Sequence, residues 1–238
     1  MRISRRIARA PRWLALVLSL LAPAAAGAQT TSLDEGTFRL LHDGRQVGTE
    51  AFTILQSGNG PDAVIIARGT ISLDTAGVAE RLRTSLRVDG PALRPVAYDV
   101  TVHGDDERRI AGRIVGSRFS AQIVSPSGEQ MREYLASEGA VLVDEGVVHH
   151  FYFLARRVSG GATRIPIIVP RASRQISAQV MADTEATTEV AGRRVAARHI
   201  VIAPAGGAER HLWVDDRGRV LRFEVPAQRF TAIRTAVP

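Results

Sequence analysis

The sequence predicts an all-β fold, mainly antiparallel, in which one long curved meander forms an incomplete barrel around a single helix. Short apolar and β-branched runs recur along most of the chain, separated by polar turns rich in Gly and Asp, a pattern typical of antiparallel meanders. One stretch, residues 147–158, instead spaces its apolar residues with the period of a helix. A long sheet on both sides of one helix can bury that helix by curling around it.

The first predicted element is a hairpin over residues 36–56. Two runs of alternating apolar residues flank Asp43-Gly44, a dipeptide suited to the positive backbone angles of a tight hairpin turn. Strands follow at residues 64–73 and 81–88, and the second alternates strictly, so one face is buried and the other solvated. The buried face carries Leu82, Leu86 and Val88, and the solvated face carries Arg81, Arg83 and Arg87.

The remaining strands are predicted from further β-branched runs bounded by Gly, Pro or Asp. They are residues 93–102, 110–115, 119–124, 140–143, 165–169, 175–181, 187–190, 195–202, 209–214, 220–225 and 230–234. No linker rich in Pro, Ser and Gly divides the chain, and no long internal repeat is visible. Residues 29–238 are therefore predicted to form a single domain.

The predicted helix at residues 147–158 has apolar residues at offsets of 0, 4, 7, 8 and 11, the spacing of a helical stripe. The stripe consists of Val147, Phe151, Leu154, Ala155 and Val158. Two arginines at 156 and 157 favour the C-terminal end of a helix, and the glycines at 160 and 161 can terminate it.

The first 28 residues predict a secretory signal peptide. Five arginines and no acid accompany an apolar run at residues 13–22, which Pro23 interrupts, and Ala26 and Ala28 are the small residues expected at a cleavage site. The run is shorter than the roughly 20 residues that a membrane-spanning helix needs. We expect cleavage before Gln29 and a periplasmic or secreted protein without a transmembrane anchor.

The composition excludes several classes of function. All 31 basic residues are Arg, and without the signal peptide 26 of them oppose 24 acids, so the mature chain is nearly neutral. Nucleic-acid binders instead concentrate basic residues in one patch or stripe, and no nucleic-acid partner is predicted. The chain has no Cys, which excludes disulfides, thiol catalysis, thiolate metal sites and the lipid attachment of a bacterial lipoprotein.

The order of motifs resembles a family of exported bacterial proteins described only as a domain of unknown function. The residues that carry the resemblance are Asp144 before the aromatic helix, Arg156-Arg157, Ile165-Pro166-Ile167, Gly192, residues 212–216 and 219–222, and the opening hairpin at residues 43–48. The family's expected fold is similar to that of periplasmic lipoprotein carriers, whose curved, incomplete β-barrel encloses a cavity for acyl chains. The resemblance implies a hydrophobic ligand and supplies no catalytic residue.

The candidate ligand-binding residues are Phe151, Phe153, Leu154 and Trp213. The three helix residues would form the floor of a cavity, with ordinary core packing as the alternative, and Trp213 would belong to its wall. His149 and His150 are adjacent and would point about 100° apart on a helix, so they are poorly placed to share a metal ion. No metal site, cofactor or catalytic residue is predicted, because no known catalytic motif is present.

Three functions remain open at this stage. The first is a non-enzymatic periplasmic protein that binds or carries an acyl chain or lipid in the concave face of the sheet. The second is a cell-envelope assembly or protein-interaction module that uses a sheet edge or the arginines at 81, 83 and 87. The third is a hydrolase with a dispersed site, which a His near two carboxylates in a cleft would support.

Overall fold

The computed structural model describes residues 30–75, 77–182 and 185–238. The predicted signal peptide and its cleavage site lie outside the described residues. Within those ranges no helix combines the length and the apolar character needed to span a bilayer.

Sixteen strands, one short α-helix and three single-turn 3₁₀ helices, at Gly60–Asp62, Pro170–Ala172 and Pro226–Gln228, make up the described chain. The strands are β1 (Thr30–His42), β2 (Arg45–Ser57), β3 (Val64–Thr75), β4 (Val78–Asp89), β5 (Arg94–His103), β6 (Arg108–Val115), β7 (Arg118–Ser125), β8 (Gly128–Leu135), β9 (Val141–Leu142), β10 (Gly161–Val169), β11 (Arg174–Ala182), β12 (Ala186–Val190), β13 (Arg193–Pro204), β14 (Arg210–Val214), β15 (Val220–Val225) and β16 (Phe230–Arg234). The helix α1 covers Phe151–Ala155.

The strands form one large sheet that does not close. Its order is β8-β7-β6-β5-β4-β3-β2-β1-β16-β15-β14-β13-β11-β10-β9, and β12 pairs with β13 beside this path. The pairing is antiparallel except between β9 and β10. Because β1 pairs with β16, the two ends of the described chain meet in the middle of the sheet. The predicted incomplete antiparallel barrel is confirmed.

Local signals predicted the first hairpin and the two faces of β4 correctly. Asp43 and Gly44 form the turn between β1 and β2 with φ angles of 52° and 74°. On β4 the predicted apolar residues are buried, and the three predicted arginines are exposed. The sequence does not predict β8, because this edge strand is exposed on nearly every residue and therefore lacks the alternation that identifies a half-buried strand.

The helix is shorter than predicted. The flanking residues form turns in which the N–H groups of Phe151, Tyr152 and Phe153 donate to carbonyls only three residues earlier, the tighter spacing common at helix ends. Residues 147–155 are all almost fully buried. Since every side of this segment is covered, its apolar stripe does not reveal where the α-helix begins and ends.

Residues 143–158, which we call the inner segment, lie against the concave face of the sheet, and residues 147–155 among them are almost fully buried. One continuous hydrophobic core joins this segment to the inward-facing residues of both halves of the sheet, from Phe38 on β1 to Leu212 on β14. The inner segment therefore occupies the interior of the barrel and is the element against which any internal site must be built.

Candidate functional site

A buried carboxylate holds the inner segment from one side. Glu50 on β2 is fully buried, and its two carboxylate oxygens accept hydrogen bonds from the backbone N–H groups of Val148 and His149 at 2.9 and 2.7 Å. The ring Nδ1 of His149 lies 2.7 Å from the same carboxylate. The ring also lies over Gly69 on β3, where an added Cβ would come within 2.4 Å of it. The backbone of β3 therefore approaches the imidazole as closely as only Gly allows.

A second buried carboxylate lies within the inner segment and ties it to β5 and to Arg171. Asp144 accepts a hydrogen bond from the Tyr98 hydroxyl at 2.8 Å, and from the backbone N–H and Nε of Arg171 at 3.0 and 3.2 Å. Its own backbone N–H donates to Nδ1 of His150 at 3.2 Å. Burial raises the pKa of Asp144, and the Arg171 guanidinium acts in the opposite direction. Burial together with Asp144 also raises the pKa of Tyr98 well above its ordinary value.

The imidazole of His150 is held in its neutral form. Burial lowers its pKa well below the ordinary value, and the neighbouring His149 and Arg171 act in the same direction. In the described part of the protein, the Nε2 atoms of both histidines are buried without a hydrogen-bond partner. Because Nδ1 of His150 accepts the Asp144 N–H, the neutral ring carries its proton on Nε2, and protonating the ring would place a second N–H at Nδ1, directly opposite that donor.

We expect the free energy of unfolding to fall as the pH is lowered from 7 to 5. An unfolded His titrates near pH 6.5, whereas the folded protein keeps His150 neutral below that pH. The unfolded state then binds a proton that the folded state does not, which lowers stability by up to about 1.4 kcal/mol per pH unit. Urea unfolding at pH 7, 6 and 5 measures this slope.

The variant His150→Asn tests the source of the slope. Its side-chain oxygen can still accept the Asp144 N–H, but it does not titrate, so stability should depend less on pH than in the wild type. The raised pKa of Asp144 opposes the effect of His150 at acid pH, and it is shared by both proteins. His42→Asn, which changes a half-exposed His, should keep the wild-type slope. Equal slopes for wild type and His150→Asn would contradict the assignment.

A cleft of about 400 Å³ opens between the inner segment and strands β14 to β16. Its apolar wall is made by Val143, Val147, Val148, Phe151, Val169, Phe223, Val225 and Phe230. Its polar residues are Asp144, Glu145, Arg210 and Gln228. The rings of Phe151 and Phe223 are stacked with their centroids 4.4 Å apart, so they join α1 to β15 across the cleft.

Of the four predicted ligand-binding residues, Phe151 lines this cleft. Phe153 and Leu154 are buried in the core on other sides of α1 and do not belong to the cleft wall. Trp213 lies on the outer face of β14, stacked against His199 with centroids 4.7 Å apart, because Leu212 and Val214 take the inward positions. Trp213 and Phe151 therefore do not share a surface.

Sequence reasoning missed Phe223, Arg210 and the buried pair of Glu50 and His149. The sequence could have indicated that Glu50 is buried, since it shares the inward face of β2 with two apolar residues, Phe52 and Ile54. A carboxylate at such a position indicates a buried polar partner. The sequence does not identify that partner, because His149 lies 99 residues further along the chain.

The hydrolase alternative requires a His near two carboxylates in a cleft, whereas His149 contacts the one carboxylate of Glu50 and His150 accepts the backbone N–H of Asp144. A general base must reach its substrate directly or through one water. The rings of His149 and His150 are 1% and 0% exposed and do not line the cleft. Among the described residues no group of three His, Cys, Asp or Glu side chains could hold a metal ion. The arrangement suits cross-linking of the inner segment better than proton transfer to a substrate.

Comparison with known proteins identifies the fold. No protein-family model and no curated sequence matches this chain. Among solved structures, the chain is similar to a β-barrel-like protein of the domain of unknown function DUF1849 from Brucella abortus. The TM-score is 0.51 at 10% sequence identity, over 85% of this chain and 95% of that one. The predicted resemblance to a domain of unknown function with a curved β-sheet is confirmed at the level of the fold.

Proposed function

We propose that this protein is a non-enzymatic binding protein that takes an acyl chain or another lipid tail into the cleft between the inner segment and β14 to β16. The observation that carries the proposal is the wall of this cleft, in which three phenylalanines and five valines surround a small number of polar groups. Ligand pockets in proteins typically combine apolar and aromatic walls with a few polar groups in this way.

The size and the construction of the cleft support the proposal. Its volume of about 400 Å³ lies within the range of roughly 300–1,000 Å³ found for small-molecule sites. One wall is the inner segment, which Glu50 holds through two hydrogen bonds to its backbone and Tyr98 and Arg171 hold through the Asp144 carboxylate. A wall that is already ordered before binding lowers the entropy lost when a ligand enters.

The proposed location is the periplasm or the outside of the cell. It rests on the sequence of residues 1–28, whose arginines, apolar run and small residues are those of a secretory signal peptide. A lipid binder in that compartment would shield an acyl chain from water between membranes or envelope components.

Two phenylalanines of α1 form a matched pair for the test. Phe151 lines the cleft, and Phe153, two residues later, is equally buried but lies outside the cleft wall. Phe151→Ala should weaken binding of a fluorescent fatty acid about tenfold, which corresponds to ~1.4 kcal/mol, because it removes part of the apolar wall. Phe153→Ala should leave the affinity nearly unchanged and lower the stability by about 3 kcal/mol, since it empties a packed position.

The measurement is a fluorescence titration of delipidated protein, with thermal unfolding of each variant recorded alongside. Native mass spectrometry and organic extraction of protein from its own cells would show whether a lipid is bound at purification. Absence of saturable binding by the wild type, or equal losses of affinity in the two variants, would contradict the proposal.

A second candidate is a cell-envelope interaction module, and the outer face of β3 to β6 favours it. Six exposed or half-exposed arginines on this arginine face are Arg68, Arg81, Arg83, Arg87, Arg109 and Arg113. Arg87 pairs with Asp89 and Arg109 with Asp99. For the other four, no carboxylate of the described residues comes within 4 Å. An acidic partner would suit this face, and a wild type without lipid affinity would make this candidate the better one.

A further inference from the structure

The cleft contains a guanidinium group at the edge of its apolar wall. Resting on the proposed function, we propose that the natural ligand is a single-chain lipid with a carboxylate headgroup. Its hydrocarbon chain would lie along Phe151 and Phe223, and its carboxylate would bind Arg210.

The position of Arg210 is the first argument. Arg210 begins β14, in which residues 212 and 214 are the buried, inward-facing positions. Side chains alternate along a strand, so Arg210 lies on the same inward face, two residues before Leu212. The arginine face described above is on the outside of the sheet. Arg210 is therefore a charged residue at a position where the pattern of the strand would place an apolar one, and it lines the cleft.

The lack of a counter-ion is the second argument. Two other arginines with little exposed surface do have counter-ions: Arg171 pairs with Asp144, and Arg234 pairs with Asp34. No described carboxylate lies within 4 Å of Arg210, and no described group accepts a hydrogen bond from its side chain. Burial lowers its pKa, and Glu145 is the charge that acts in the opposite direction. Since no described side chain or backbone group engages this half-buried guanidinium, its donors are available to an anionic ligand in the cleft.

The balance of charge at the cleft selects the kind of anion. Asp144 is already bound by Tyr98 and Arg171, so Arg210 and the exposed Glu145 are the charged residues left at the cleft. One guanidinium can bind both oxygens of a carboxylate through its parallel N–H donors. A phosphate with two negative charges would need further cationic groups, and Glu145 would repel it more strongly.

Calorimetric titration with lipids of the same chain length separates the contribution of the headgroup to the affinity from that of the hydrocarbon tail. Decanoate, decanol and decyl phosphate share the same hydrocarbon chain, and decanol is uncharged. We expect wild type to bind decanoate about tenfold more tightly than decanol, the effect of one hydrogen-bonded charge pair. Arg210→Gln should bind decanoate no more tightly than it binds decanol. Arg210→Lys, which keeps the charge without the parallel donors, should lie between them.

Two controls complete the experiment. Arg193→Gln, an exposed arginine on β13, should bind all three lipids as the wild type does. Glu145→Gln should raise the affinity for decanoate relative to that for decanol, because it removes the opposing charge.

The outcomes distinguish this inference from the proposed function on which it rests. If wild type binds decanol and decanoate equally, the headgroup assignment is overturned and lipid binding stands. If decyl phosphate binds more tightly than decanoate, the carboxylate assignment is overturned in favour of a phosphate headgroup. If none of the three binds, the proposed function itself fails.

Discussion

Replacing Glu50 with Ala should lower the free energy of unfolding by about 3–5 kcal/mol, the scale of breaking a fully buried ionic or hydrogen-bonded group. The carboxylate accepts two backbone N–H bonds from the inner segment and contacts the His149 ring. Its removal leaves these groups buried without partners and opens space beneath the segment. Urea unfolding of the variant and the wild type at pH 7 measures the loss.

Glu133→Ala is the control for Glu50→Ala. Glu133 is exposed on the edge strand β8, so the same change there should alter stability by less than about 0.5 kcal/mol. Because Glu50 orders the inner segment, Glu50→Ala should also bind a fatty acid more weakly than the wild type if it folds. A loss of stability no larger than that of Glu133→Ala would show that Glu50 does not hold the inner segment.

Replacing Arg234 with Met should destabilise the protein by a similar amount, about 3–5 kcal/mol. Arg234 on β16 and Asp34 on β1 are both almost fully buried. The guanidinium donates to the two oxygens of Asp34 at 2.7 and 3.1 Å and to the carbonyl of Val220 at 3.2 Å. It also lies 5.4 Å from the centre of the Phe52 ring. The variant would leave the Asp34 carboxylate buried without its cation, where the first and last described strands, β1 and β16, pair.

Two further variants test whether the missing cation causes this loss. The double variant Asp34→Leu with Arg234→Met should recover at least half of the stability, since no charge is then left unpaired. Arg229→Met breaks an exposed pair with Asp43, and it should lower stability by at most about 1 kcal/mol. Equal effects of Arg234→Met and Arg229→Met in thermal or urea unfolding would rule out a special role for the buried pair.

The two buried carboxylate networks bear directly on the proposed site. Glu50 binds the backbone of the inner segment at residues 148 and 149, and the carboxylate of Asp144, within the segment, is bound by Tyr98 and Arg171. These bonds place Phe151 against Phe223 and so define one wall of the cleft. Stability measurements on the networks and affinity measurements on the cleft should therefore be correlated in any variant that loosens the segment.

The sequence by itself determined the features that depend on neighbouring residues. Asp43-Gly44 identified a hairpin turn because few other dipeptides tolerate two successive positive φ angles. Leu82 and Arg83 were assigned to opposite faces of β4 because side chains alternate along any strand. The all-β class and the antiparallel meander follow from repeating such local signals along the chain.

Only the tertiary structure decided which residues share a site, because contacts between distant segments leave no periodic pattern. Glu50 meets His149 across 99 residues, and the burial of residues 147–155 on every side hides from the sequence pattern that α1 covers only Phe151–Ala155. Two residues of β14 give a second example, because the sequence alone did not show which of them borders a cavity. Trp213 faces outward, whereas Arg210 lines the cleft, since the curvature of the sheet and the position of the inner segment determine which face of a strand borders a cavity.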